Sequence, residues 1–230
     1  MSMPLSQKPA NYFRVAWQSA LAAGLFLGLP AGLLFWLILF REVSHFSVIE
    51  RFVTLLQVNG LRSIFILASC SLLWSFLLGR ISGYRPWWKI GLATIGGILV
   101  GWFSPLSNLD SGFGDRLPVH MLYALFMSGV ISSVTICVGL AYGWVLRSVK
   151  AALRLALGTS IVSVLTALLA ILLMDQLGIR VGEGDFAMSK VTVVCLLTSA
   201  ITGGMVLGVE FSRFVQSERH PLFSKNITSD

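Results

Sequence analysis

Charged side chains are scarce in this 230-residue chain, where Lys, Arg, Asp and Glu together supply 12% of the residues. That is about half the share of an ordinary soluble domain. With 56% apolar residues and a mean hydropathy of +0.83, a water-soluble globule is excluded. The 17 basic residues outnumber the 10 acidic ones by seven, but so few charges do not make the dense basic face of a nucleic-acid binder. No nucleic-acid partner is expected.

Cysteine is equally sparse. Cys70, Cys137 and Cys195 stand far apart in apolar runs with no CxxC spacing, so neither a disulfide framework nor a zinc site is indicated. They read as small apolar side chains. Histidine is limited to His45, His120 and His220, with no HExxH and no pair positioned to face across a bilayer for haem. Ser128-Gly129 lacks a histidine at comparable depth to serve as its base. No cofactor, no metal and no catalytic residue is therefore expected, and the chain reads as a non-enzyme.

What the sequence does hold is long apolar runs. A hydrocarbon core about 30 Å thick takes roughly 20 apolar residues in helical form. Six stretches qualify, over 13–40, 61–79, 87–103, 119–146, 151–174 and 191–211, and none shows the strict alternation of a barrel strand. The expected fold is all-α, a polytopic integral membrane protein built as a bundle of six transmembrane helices. It divides into an amino-terminal segment (1–12), the membrane domain (13–212) and a polar tail (213–230). The first run is too long for a signal-peptide core and has no evident cleavage context, so it is taken as an uncleaved helix. Its surplus length is expected to go into tilt, an interfacial first turn near Tyr12 to Trp17, or a kink at Pro30.

With six crossings, the two sides separate cleanly in charge. The side of the termini carries eleven basic residues against three acids, and the other carries six against seven. This is the positive-inside signature, and it predicts a plasma (inner) membrane location with both termini cytoplasmic. Trp17, Trp87, Trp88 and Trp144 fall near the inner interface, Trp36 and Trp102 near the outer one, and Trp74 lies deeper.

In the first outer loop Phe46, Ile49, Val53 and Leu56 recur at helical spacing, which predicts a short amphipathic interfacial helix closed by Asn59-Gly60. The Gly- and Asp-rich outer loops 105–118 and 175–189 suit turns and match neither a calcium loop nor a phosphate-binding glycine loop. Asn226-Ile227-Thr228 matches a glycosylation acceptor only formally, because the charge count puts it inside.

Small residues recur every four positions. Ala16, Ala20, Gly24, Gly28 and Gly32 share one face of the first run; Ala93, Gly97 and Gly101 one face of the third; Gly139 and Gly143 lie in the fourth; Ala200, Gly204 and Gly208 share a face of the sixth. In lipid, such stripes let backbones approach closely and hold helices together. Facing inward they make a tight bundle; facing outward they would seat a protein partner or a second copy of the chain. The third and sixth runs align without gaps as ATIGGILVG and AITGGMVLG, which leaves open an inverted repeat of three helices plus three.

Ionisable groups are almost absent from the runs. Glu210 stands near the inner end of the sixth, where Arg213 or Arg14 is available to pair with it. Gln18, His120 and Glu210 are the polar residues singled out as functional candidates. Neutral Ser and Thr are spread through the spans, among them Ser71, Ser133, Thr135, Thr159, Ser163 and Ser199. Two readings of function follow. The first is a non-catalytic subunit, scaffold or assembly component of a membrane complex. The second is a small permease or substrate-binding membrane component for an uncharged or weakly polar solute. A cavity lined by those hydroxyls would favour the second, and a solid interior the first.

Overall fold

The computed structural model describes residues 11–39, 48–102, 104, 119–179 and 185–219, and every element among them is helical. Asn11 caps the first helix, its side chain accepting from the Arg14 N–H at 3.3 Å. Helix α1 (Tyr12–Ala23) passes through a π turn (Gly24–Gly28) into α2 (Leu29–Leu39). The irregularity comes just before Pro30 rather than at it. Proline has no N–H to give the Phe26 carbonyl and its ring crowds that oxygen, so the preceding turn widens and the Leu29 N–H reaches back to the Gly24 carbonyl.

Helix α3 (Val48–Ser82) runs 35 residues straight through Asn59-Gly60. The stretch expected to lie as a separate surface helix is therefore continuous with the second apolar run. An internal glycine costs a helix only about 1 kcal/mol, and the apolar residues that follow outweigh it. The remaining helices are α4 (Trp87–Trp102), α5 (Val119–Val145), α6 (Val149–Gln176) and α7 (Asp185–Arg219).

The turns are written locally. After α5, Ser148 N–H bonds to the Gly143 carbonyl and Arg147 N–H to the Trp144 carbonyl, each at 3.0 Å, with Arg147 at φ 51°. This is a Schellman ending, and Ser148 at once caps α6 by accepting from Ala151 N–H at 3.2 Å. Helix α6 ends by the same pattern of bonds around Gly178, φ 78°.

Five helices are long and apolar enough to cross a membrane: Tyr12–Leu34, Phe65–Ser82, Met121–Val145, Val149–Gln176 and Lys190–Ser217. Their outward faces stay apolar, with Phe13 80% exposed and Trp144 81%. Apolar area on that scale belongs against lipid, so the chain is an integral, multi-pass membrane protein. Helix α4 coincides with the third predicted run, but its 16 residues reach only about 24 Å, less than a full hydrocarbon core.

The helices pack as a ring. Chain neighbours touch in the order α3, α4, α5, α6, α7, and α7 then closes the circle against α1 and α2, which meet α3 in turn. The start and end of the ring lie together: Tyr12 OH donates to Gln216 Oε1 at 3.2 Å, and the Arg213 guanidinium sits 5.2 Å from the Tyr12 ring centre. Near that end one core gathers Trp74, Leu78, Ile90, Tyr142, Leu155 and Phe211, with the Tyr142 and Tyr84 rings each 5.6 Å from Phe211. A second core joins Tyr123, Met127, Ile131, Ala167, Val191 and Cys195 between α5, α6 and α7.

Candidate ligand cavity

The small-residue stripes turn inward and form the seams of the ring. A methyl group built on Gly97 would stand 2.7 Å from the Val138 Cα, and one on Gly101 2.5 Å from the Val134 Cα, so α4 and α5 touch backbone to backbone. Gly139 and Gly143 face the α6 backbone at Ala156 and Ala152 with equally little room. On the far seam Gly204 and Gly208 meet Ala23 and Ser19, while Gly24 and Gly28 meet Ile201 and Ala200, at 2.7 and 2.8 Å. Gly32 sits in ordinary contact with Val193, 3.4 Å away, and Ala20 and Ala93 are buried. The glycines that align between α4 and α7 thus do the same work, Gly97 and Gly101 on α5, Gly204 and Gly208 on α1.

Inside the ring the packing is not complete. A cavity of about 270 Å³ is lined by residues from every helical segment but α1: Leu27 and Gly28 from the π turn, Ala31 and Leu34, Leu67, Ala68 and Trp74, Thr94, Ile98 and Trp102, Val130, Val134 and Val138, Thr159 and Ser163, Leu196, Ala200 and Leu207. Its walls are almost wholly apolar although Thr94, Thr135, Thr159, Ser163 and Ser199 all take part in the lining.

Hydrogen bonding explains the contradiction. Thr94 Oγ1 donates to the Ile90 carbonyl at 2.8 Å and Thr135 Oγ1 to the Ile131 carbonyl at 2.7 Å, each one turn back in its own helix. Ser163 and Ser199 donate across the α6–α7 seam, each to the other's carbonyl, at 3.2 and 3.1 Å. Ser133 reaches the Gly101 carbonyl at 2.7 Å, tying α5 to α4. At the floor, Trp74 Nε1 donates to Tyr142 OH at 2.9 Å and Tyr142 OH lies 2.6 Å from Thr94 Oγ1. Since Thr94 gives its only proton to Ile90, the tyrosine proton goes to Thr94, and the relay Trp74, Tyr142, Thr94, Ile90 is closed. Thr159 Oγ1 is buried and has no partner among the described residues, as are Ser19, Ser71 and Ser212 hydroxyls elsewhere in the ring.

The three polar candidates from the sequence are not brought together. Gln18 lies exposed on α1, away from the cavity lining. Glu210 is ion-paired with Arg213 at 2.7 Å, one turn along α7, in the interfacial cluster with Tyr12. The His120 side chain lies outside the described residues, as do the Trp36 side chain, His45, His220, and the outer loop 105–118. Among the described residues no group of three His, Cys, Asp or Glu stands close enough to hold a metal ion. Sequence reasoning missed Tyr142 and Thr94. A buried tryptophan and tyrosine each demand a hydrogen-bond partner, which was the available signal. No family model matches the chain, and neither the curated proteins nor the solved structures contain a significant match to it.

Proposed function

We propose that the protein is a membrane-embedded binding component for an uncharged, largely apolar molecule, held in the cavity at the centre of a six-crossing ring. The observation that carries this reading is the cavity itself, with four of its five wall hydroxyls turned to carbonyls and only Thr159 left without a partner among the described residues. An unfilled apolar void forfeits about 24 cal/mol per Å³. A space of about 270 Å³ therefore leaves its walls short of contacts wherever nothing fills it. A ligand recovers it by contact with the walls. Its chemistry follows from the lining: a flexible or branched hydrocarbon group, with at most a single hydrogen-bonding atom placed near Thr159. The weakly polar solute expected from the sequence gives way to an apolar one. The small-residue stripes are taken up by helices of the same chain, so they offer no outward face for a partner helix.

In this reading the short helix α4 also crosses, which brings the five longer spans to six, and the even count fits the adjacency of Tyr12 and Gln216. The charge asymmetry then puts both termini in the cytoplasm of a plasma (inner) membrane. The test is photolabelling of the full-length protein in nanodiscs with a diazirine-bearing long-chain alcohol, followed by peptide mapping. Labels on Leu67, Ile98 and Val134 support the cavity site. Labels confined to the outward-facing Leu157, Ile161 and Leu165 overturn it. In the variant Ala31→Phe/Ala68→Phe, which fills the cavity, the inner labels should vanish while the outer ones persist.

A further inference from the structure

We propose that a cleft between the start of α4 and the end of α5 seats one anionic phospholipid from the leaflet at the terminal end of the ring. The cleft measures about 930 Å³ and opens on the outward surface, with Leu92 on its wall 62% exposed. Lys89 and Arg147 both line it, and none of its lining residues is acidic. Two cations without a carboxylate between them match a phosphodiester, and basic clefts of this kind at the cytoplasmic side of helices hold anionic headgroups. Trp88 and Trp144 flank the cations, 52% and 81% exposed, and the Lys89 ammonium lies 5.6 Å from the Trp88 ring centre. Indoles so exposed beside charged groups mark headgroup depth.

Deeper in the cleft the chemistry changes. No heavy atom lies within 4 Å of where a Cβ on Gly96 would stand, so the slot continues as an apolar trough of acyl-chain character. Gly97 beside it faces the α5 backbone and draws the helices together, which leaves Gly96 as the open side of the same contact. Headgroup chemistry at the mouth and hydrocarbon chemistry below is the layout of a phospholipid, not of a free anion.

Arg147 strengthens the case. It occupies φ 51°, a conformation that L side chains disfavour, in the same helix-ending motif that the chain builds with Gly178 after α6. Glycine is the conformationally easy choice there, and the chain instead places a cation at the mouth of the cleft.

The experiment is native mass spectrometry of the full-length protein in detergent, titrated with dioleoylphosphatidylglycerol or dioleoylphosphatidylcholine. One phosphatidylglycerol per chain should bind with a preference of about tenfold or more over phosphatidylcholine. The double variant Lys89→Gln/Arg147→Gln should weaken that binding on the order of tenfold or more. Arg80→Gln/Arg154→Gln, which removes as much charge elsewhere at the same end, should leave it within about twofold. Two single variants separate the lipid from the fold. Arg147→Gly should raise the melting temperature by relieving the strained φ and still weaken phosphatidylglycerol binding. Gly96→Leu should weaken it with no change of charge. Equal binding of both lipids, equal losses in the two double variants, or displacement by millimolar inorganic phosphate would overturn the proposal.

Discussion

Gly96 and Gly97 are consecutive residues of one helix and should respond to the same substitution with opposite signs. A methyl on Gly97 would lie 2.7 Å from Val138 Cα and 2.8 Å from Val138 N. Unstrained carbon contacts fall near 3.5–4.0 Å, so α4 and α5 would have to part by about 1 Å. Overpacking of this kind costs roughly 1–3 kcal/mol, here without a side chain able to swing aside. A methyl on Gly96 meets nothing within 4 Å, and helix propensity alone favours alanine by up to about 1 kcal/mol. Thermal unfolding in mild detergent should therefore place Gly97→Ala below wild type and Gly96→Ala at or above it, at least about 2 °C apart. A rescue series tests the cause. Gly24 faces only the Ile201 side chain at its nearest approach, Cγ1 at 2.7 Å and Cδ1 at 3.3 Å. Ile201→Ala should recover much of the loss from Gly24→Ala, with a coupling of about 1 kcal/mol or more. Val138→Ala should not rescue Gly97→Ala, because backbone atoms make the closest contacts. Equal losses at Gly96 and Gly97, or rescue by Val138→Ala, would refute the close-seam account of the ring.

Several other measurements bear on the site. Tyr142→Phe strands the Trp74 N–H in the core, and it should cost about 1–3 kcal/mol in a reversible unfolding assay, with strong coupling to Thr94→Val in a double-mutant cycle. Ala31→Phe/Ala68→Phe should raise the melting temperature of ligand-free protein by filling the void, while abolishing inner photolabelling. Glu210→Gln should change stability by less than about 1 kcal/mol, because its arginine partner is 54% exposed; a loss several times larger would mean that Glu210 does more than pair. Cysteines placed at Asn11 and Ser217 should both react with an impermeant maleimide from the cytoplasmic side alone; labelling of the two from opposite sides would dismantle the even-crossing ring.

Much of this architecture was legible in the chain. Apolar run length located α1–α2, α3, α5, α6 and α7, and the four-residue recurrence of Gly and Ala marked the seams, because both are local properties of a helix in lipid. Pro30 signalled a distortion correctly, but a proline acts on the carbonyl one turn before it, which moves the effect to Gly24–Gly28. Asn59-Gly60 looked like a stop, yet no competing turn was strong enough to interrupt a helix with an apolar run ahead of it. The cavity was not legible, since its walls come from the π turn and from α2 to α7 and exist only once α7 meets the π turn and α2. Its apolar character was readable in part. Ser and Thr inside helices commonly bond one turn back, as Thr94 and Thr135 do, and a count of hydroxyls alone overstates the polarity they lend to a surface.

The seam that α1 and the π turn make with α7 joins the first and the last of the described helices. Until α7 is inserted, the faces of Gly24 and Gly28 that it covers stand open, and the ring is an unclosed crescent. Closure of the ring thus waits on α7, and a chain severed between α6 and α7 should regain its shape when the two fragments are produced in the same cell.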